Sequence, residues 1–168
     1  MTYDRHKFQR PRFVVPIAGN QLARNALVVE DQPVLRRFIR MRLEEIGWLV
    51  RDAGDALRAT SLFREMRPHL VTLDVVMPEA GGVTALDFLR TIRSESPRTV
   101  VHVLSSVLSR KDRQLFIDEG AATFSSKPFI NAAEFETLIE KSAALFEQLA
   151  APSAGPTQKA DAKARRAP

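Results

Sequence analysis

The sequence predicts a doubly wound α/β domain, in which helices cover both faces of a five-stranded parallel sheet. Short apolar segments rich in β-branched residues alternate with segments of helical period, at spacings of about 20 to 25 residues. Strict alternation of strands and helices requires right-handed crossovers, and these produce a parallel sheet. Several apolar segments also end on polar side chains, which in such a sheet face a ligand-binding crevice.

The first half of the domain contains two strand–helix pairs. Residues 26–29 form a short buried strand, and the helix over 33–47 carries a proline in its first turn, where a helix accepts one. Residues 48–50 are extended again. The apolar residues of 56–66 then recur at helical spacing, and Pro68 closes this second helix.

The second half repeats the pattern three times. Residues 69–73 read as a strand buried on both faces that ends on Asp74, and the helix after it ends before Pro97. The remaining elements are strands at 99–104 and 123–126 and helices at 109–119 and at 134 to about 150.

The net charge of +5 is carried by the two ends of the chain. Residues 1–24 hold five basic residues and one acidic residue, and residues 151–168 hold four and one, so the middle is slightly acidic. We therefore expect a basic arm (1–24), the α/β domain (25–150) and a disordered basic tail (151–168). The arms either act as solubilising extensions or contact nucleic acid, an anionic membrane or a partner.

The composition excludes several kinds of site. The chain has no cysteine, which excludes disulfides, thiolate metal sites and cysteine nucleophiles. His6, His69 and His102 lack the spacing of zinc ligands. No apolar run reaches the roughly 18 residues of a membrane span, and the N-terminus has no secretory apolar core. We expect a cytoplasmic protein.

Polar side chains that suit phosphoryl chemistry follow four of the five predicted strands. They are Glu30 and Asp31 after the first, Asp74 after the third, Ser105 and Ser106 after the fourth, and Lys127 after the fifth. Three carboxylates at one sheet edge repel each other unless a cation intervenes, and Mg²⁺ prefers such oxygen ligands. A lysine and a hydroxyl opposite the metal suit a phosphoryl group. The pattern predicts Mg²⁺-assisted phosphoryl transfer centred on a carboxylate.

Over about residues 25–149 the chain resembles the response-regulator receiver domain of two-component signalling. The resemblance rests on four separated blocks that occur in the family's order. They are Leu27-Val28-Val29-Glu30-Asp31, Leu73-Asp74-Val75-Val76-Met77-Pro78, Leu104-Ser105-Ser106 and Phe124-Ser125-Ser126-Lys127-Pro128-Phe129. It implies a flavodoxin-like fold with strand order 2-1-3-4-5.

The resemblance also implies a role for each site residue. Asp74 would be the phosphoacceptor, and Mg²⁺ would be held by Asp31, Asp74 and the backbone carbonyl of Val76, with Glu30 acting through a bound water. Four residues would bind the phosphoryl group or respond to it, and a proline would form a cis peptide bond. The phosphate-binding and switch residues are Ser105, with Ser106 beside it, Lys127 and Phe124, and the cis-proline is Pro128. A phenylalanine at 124 lacks the phenolic hydroxyl common at that place.

The resemblance implies a receiver that accepts phosphate from a histidine kinase or a His phosphotransfer protein. No output domain fits in the tail, so we expect protein contacts through the face of the fourth helix, fifth strand and last helix, which also suits a homodimer. The alternatives are a phosphate sink and a receiver that regulates nucleic-acid or membrane binding by the basic arms. A haloacid-type hydrolase is disfavoured, since Val76 stands where that class carries a second acid.

Overall fold

The computed structural model shows a five-stranded sheet in which every neighbouring pair of strands is parallel, in the order β2-β1-β3-β4-β5. This confirms the predicted fold class and strand order. The structure describes residues 24–106 and 109–127, together with helical residues 135, 137, 139–141 and 144–145. The predicted basic arm and tail lie outside the described residues, apart from Arg24.

The strands and helices alternate as the sequence predicts. The strands are β1 (Asn25–Val29), β2 (Leu49–Ala53), β3 (Leu70–Asp74), β4 (Val100–Ser105) and β5 (Thr123–Ser126). The helices are α1 (Pro33–Glu45), α2 (Ala56–Met66), α3 (Ala85–Glu95) and α4 (Arg110–Asp118). The largest difference from the prediction is in β2, which runs to Ala53 rather than stopping at residue 50. As an edge strand it tolerates the polar Arg51 and Asp52.

Polar residues fix where three of the helices begin. The side chains of Asp55, Thr84 and Ser109 each accept a hydrogen bond from the backbone N–H three residues later, which satisfies one unpaired donor of the first turn. At Thr84 the carboxylate of Asp87 bonds back to the backbone N–H, which completes a capping box. Each cap therefore sets the point at which the chain turns from loop to helix.

Apolar side chains fill both faces of the sheet. The cluster on one face joins α2 and α3 to the sheet and includes Phe63 and Phe88, whose rings meet edge to face at 6.0 Å. The cluster on the other face joins α1 to the sheet and includes Phe135 and Ile139, which are fully buried. These two residues of the last predicted helix thus pack on the same face as α1.

The register of the sheet brings the ends of four strands together. Val29 lies beside Leu73, Asp74 beside Leu104, and Ser105 beside Ser126. Because all strands are parallel, the residues at and just beyond these positions share one edge of the sheet. None of the helices among the described residues is long and apolar enough to cross a membrane.

Candidate functional site

Three carboxylates meet at the carboxyl edge of the sheet. One carboxylate oxygen from each of Glu30, Asp31 and Asp74 lies within 4.8 Å of the others. Glu30 is 1% exposed and Asp74 is 2% exposed, while Asp31 is partly buried. The sequence predicted this convergence from the strand ends alone. Two of the three acids are therefore removed from water, and an uncompensated charge is costly in such a buried position.

Lys127 lies between the two buried acids. Its Nζ is 2.5 Å from Glu30 Oε2 and 2.8 Å from Asp74 Oδ2, and its side chain is only 5% exposed. The backbone N–H of Lys127 donates to the carbonyl of Ser105 at 2.9 Å, which continues the β4–β5 ladder by one residue. The ladder thus aims the lysine into the acid cluster, where its charge offsets the repulsion between the carboxylates.

The electrostatics of the cluster are suited to a cation. Burial raises the pKa of Glu30 above its ordinary value, the hydrogen bond from Lys127 opposes that rise, and the neighbouring Asp74 adds to it. Asp31 Oδ1 is buried and has no hydrogen-bond partner among the described residues. A buried carboxylate oxygen without a donor, beside two further carboxylates, is the kind of hard oxygen set that binds Mg²⁺.

The loop after β3 folds back over the phosphoacceptor candidate. The backbone N–H of Val76 donates to Asp74 Oδ1 at 3.1 Å, so the chain turns within two residues of the strand end. The Val76 side chain is 52% exposed. On the opposite side, the N–H of Gln32 donates to Glu30 Oε1 at 3.3 Å. Both acids are therefore held by the backbone of the loop that follows them.

The fourth and fifth strands supply the other predicted site residues. Ser105 is 2% exposed and its Oγ has no hydrogen-bond partner among the described residues, whereas Ser106 is exposed. Phe124 is partly buried against the α2–α3 cluster, with the Arg113 guanidinium carbon 4.8 Å from the centre of its ring. Pro128 and its predicted cis peptide bond lie outside the described residues.

Arg36 is a neighbour of the site whose contact with the acid loop was not predicted from the sequence. It lies in the first turns of α1. Its Nη1 donates to the carbonyl oxygens of Glu30 and Asp31 at 2.8 and 3.2 Å. Its position five residues after Asp31, one turn into the helix, was the available signal.

Comparison with known proteins agrees with this geometry. The model of the family described as "Response regulator receiver domain" matches residues 26–140, which is more than half of the chain. The chain belongs to this family. The chain is 38% identical over 103 residues to the "Probable transcriptional regulatory protein TcrX" of Mycobacterium tuberculosis, and the match covers 61% of this chain and 43% of TcrX. The receiver therefore spans less than half the length of this curated relative.

Solved receiver domains share its architecture. The receiver domain of NtrX from Brucella abortus is 27% identical, with a TM-score of 0.65, and the match covers 71% of this chain and 98% of that one. The chemotaxis protein CheY4 of Vibrio cholerae also gives a TM-score of 0.65 at 24% identity, covering 72% of this chain and 99% of that one. At that identity the second likeness concerns the fold alone.

Proposed function

We propose that this receiver accepts a phosphoryl group on Asp74 from the phosphohistidine of a histidine kinase or a His phosphotransfer protein. An oxygen of the Asp74 carboxylate attacks phosphorus, and a P–O bond forms as the P–N bond to the donor imidazole breaks. The electron pair of the P–N bond returns to the imidazole nitrogen. The product is an acyl phosphate on Asp74, and the transfer needs positioning and charge neutralisation more than covalent help from other residues.

The placement of Lys127 is the observation that carries this proposal. Its ammonium group lies 2.8 Å from Asp74 Oδ2 inside a site that excludes most water. In that position it would neutralise an oxygen of an incoming phosphoryl group. Ser105 Oγ, which is buried without a partner among the described residues, is free to donate to a second oxygen. A lysine that served only stability would not require an unpaired hydroxyl at the end of the neighbouring strand β4.

The acid cluster fits a bound Mg²⁺ ion. Asp31 and Asp74 would hold it directly, together with the backbone carbonyl of Val76, and Glu30 would act through a bound water. When bound, the ion would offset the negative charge that accumulates as the phosphoryl group is transferred. Asp31 contributes a buried oxygen that has no other donor in the described part of the chain.

Phosphorylation would then change the surface of the fourth and fifth strands. A dianionic group on Asp74 offers new charge-assisted bonds to Ser105 and Lys127, which draws the end of β4 inward. Phe124 would follow into the space released, and its movement would separate it from Arg113. The resulting change on the face of α4, β5 and the last helix would control a protein contact.

Phosphotransfer is the direct test. Wild type and Asp74→Asn are incubated with a phosphohistidine donor and, separately, with a small acyl phosphate, and label on the protein is followed in Mg²⁺ and in EDTA. We expect labelling of wild type only, and only in Mg²⁺. Equal labelling of both proteins would refute Asp74 as the acceptor, and label that decays within seconds would favour a phosphate sink over a switch.

Control of transcription is a second candidate function. It is favoured by relatives such as TcrX, a probable transcriptional regulatory protein, and by the excess of basic residues in 1–24 and 151–168. Those segments would contact phosphates of nucleic acid or of an anionic membrane. DNA affinity that falls steeply with salt and is lost on removal of both segments would support it over the protein contact. Equal affinity for DNA after their removal would exclude the two segments as the DNA-binding part of the chain.

A further inference from the structure

We propose that Arg36 is a positioning residue for the acid loop of Glu30 and Asp31, and that it thereby sets the affinity of the site for Mg²⁺. This inference rests on the proposed function, because it concerns the same metal-binding carboxylates. Arg36 touches neither the reacting oxygen nor any carboxylate oxygen of the cluster in the described contacts. It acts through the backbone from which two of the three acids project.

The contacts of Arg36 form a clamp across the β1–α1 turn. Nη1 donates to the carbonyl oxygens of Glu30 and Asp31 at 2.8 and 3.2 Å, and Nε donates to Asp52 Oδ1 at 3.1 Å. The guanidinium group therefore joins the acid loop to the neighbouring strand β2. Its side chain is 23% exposed, so these charge-assisted bonds are partly shielded from water.

The clamp matters most for Asp31. Oδ1 of Asp31 is buried without a partner among the described residues, so no side-chain hydrogen bond there fixes the direction of that oxygen. Glu30, in contrast, is held at its carboxylate by Lys127 and by the backbone N–H of Gln32. The orientation of Asp31 depends instead on its backbone, whose carbonyl is one of the two that Arg36 binds.

Gly54 supplies independent support for this role. A Cβ added at this position would lie 3.1 Å from Arg36 Nη1, tighter than ordinary van der Waals contact. The backbone of Gly54 is outside the left-handed region that favours glycine, so its conformation does not demand the missing side chain. The glycine instead leaves room for the guanidinium group, at the atom that binds both carbonyls.

The loss of the charge of Arg36 and the loss of its positioning contacts predict opposite changes in the affinity for Mg²⁺. By Coulomb's law alone, the loss of a positive charge beside a cation site tightens the binding of Mg²⁺. Loss of a group that orients metal-bound residues weakens binding, typically by tenfold or more. The sign of the change therefore distinguishes the two roles without any measurement of phosphorylation.

The experiment titrates Mg²⁺ into wild type, Arg36→Gln and Arg36→Lys by calorimetry. We expect about tenfold weaker binding for Arg36→Gln and an intermediate value for Arg36→Lys, which keeps the charge but lacks the planar fork that joins the two carbonyls to Asp52. Arg40→Gln is the matched control. Arg40 lies on the same helix and donates to Asp52 and Glu44 at 2.8 Å, and its described contacts include no bond to the acid loop. We expect its affinity to stay within twofold of wild type or to tighten.

Gly54→Ala tests the clamp without removing the arginine. In the wild-type background we expect weaker Mg²⁺ binding, because the added Cβ displaces Nη1 by a few tenths of an ångström. In the Arg36→Gln background we expect no further loss, since no guanidinium group is left to displace. An equal loss in both backgrounds would mean that residue 54 acts by another route, and would remove this support.

Asp31→Asn separates the inference from the proposed function. If Asp31→Asn binds Mg²⁺ as wild type does, the proposed metal site itself is wrong. If Asp31→Asn loses binding while Arg36→Gln binds as tightly as wild type or more tightly, the metal site stands and the positioning role is overturned. Melting temperatures of all variants establish that the affinities are those of folded protein, so a purely structural effect of Arg36 would alter melting and leave Mg²⁺ affinity unchanged.

Discussion

Two groups of buried polar side chains lie in the same sheet, one at its carboxyl edge and one near its middle. At the edge, Lys127 forms ion pairs with Glu30 and Asp74. Nearer the middle, His102 on β4 lies in register with Thr72 on β3 and with Thr123 on β5. Oγ1 of Thr123 and Nδ1 of His102 share a hydrogen bond.

The two groups differ in charge rather than in burial. Desolvation lowers the pKa of His102 to about 4, so its ring is neutral near pH 7. At the edge, by contrast, the single ammonium group of Lys127 lies beside two carboxylates and offsets part of their mutual repulsion. Water and ligands reach a sheet through its carboxyl edge, whereas strands and helices enclose the middle row. Burial of polar atoms therefore marks a site only where their charges converge at an open edge.

The largest effect is expected at Lys127. Lys127→Met leaves Glu30 and Asp74 buried without their cation, and breaking such a pair costs about 3 to 5 kcal/mol. We expect the free energy of unfolding in EDTA at pH 7.5, measured with urea, to fall by about that amount. Mg²⁺ should stabilise the variant more than it stabilises wild type, because the ion then binds the carboxylates without competition from the lysine ammonium group.

Lys111→Met is the control for this prediction. Lys111 is an exposed residue of α4, so its loss should change the free energy of unfolding by less than about 0.5 kcal/mol. If Lys127→Met were as stable as this control in EDTA, the edge group would be no more costly to disrupt than a surface charge. The contrast between the two polar groups would then fail.

The sequence predicted the order of elements and the convergence of charge well, because both follow from local patterns and from parallel topology. The partners within the site were harder to predict. The ion pair between Lys127 and Glu30 joins residues 97 positions apart, so no local pattern encodes it. The contact between Arg36 and the acid loop was not predicted, since only the fold shows that this side chain turns back toward the loop. The extra length of β2 was missed because polar residues on an edge strand look like loop.

The second prediction concerns His102 and pH. The unfolded histidine binds a proton near pH 6.5 and the folded one only near pH 4, so between these values the unfolded state holds more protons and stability rises with pH. On lowering the pH from 7 to 4, wild type should lose about 3 kcal/mol through this residue, about 2 of them above pH 5. Urea unfolding at each pH measures the loss.

His102→Leu removes the titrating group and serves as the reference for that slope. Its stability should fall less steeply than that of wild type between pH 7 and pH 5, whatever its absolute stability. Because the carboxylates titrate equally in both proteins, the difference between the two stability curves isolates the contribution of His102. Parallel curves would show that the ring titrates alike in the folded and unfolded states, and that the middle row is less enclosed than the structure indicates.

The smallest effects, and the closest comparison, come from one hydroxyl in each region. Oγ1 of Thr72 and Oγ of Ser105 are both buried without a hydrogen-bond partner among the described residues. Removing an unsatisfied buried hydroxyl relieves a desolvation cost, so Thr72→Val and Ser105→Ala should each raise the free energy of unfolding by up to about 1 kcal/mol. Urea unfolding of the unphosphorylated proteins measures both gains.

The two variants should differ in how much a phosphoryl mimic stabilises them. Beryllofluoride with Mg²⁺ should stabilise wild type and Thr72→Val equally, since Thr72 lies away from the edge. Ser105→Ala should lose part of that stabilisation, because the mimic can no longer accept a hydrogen bond from residue 105. Equal responses of all three proteins would show that the Ser105 hydroxyl is unsatisfied for no functional reason, as in the middle row. A reduced response of Ser105→Ala alone would show that an unsatisfied hydroxyl at the edge is kept for a ligand.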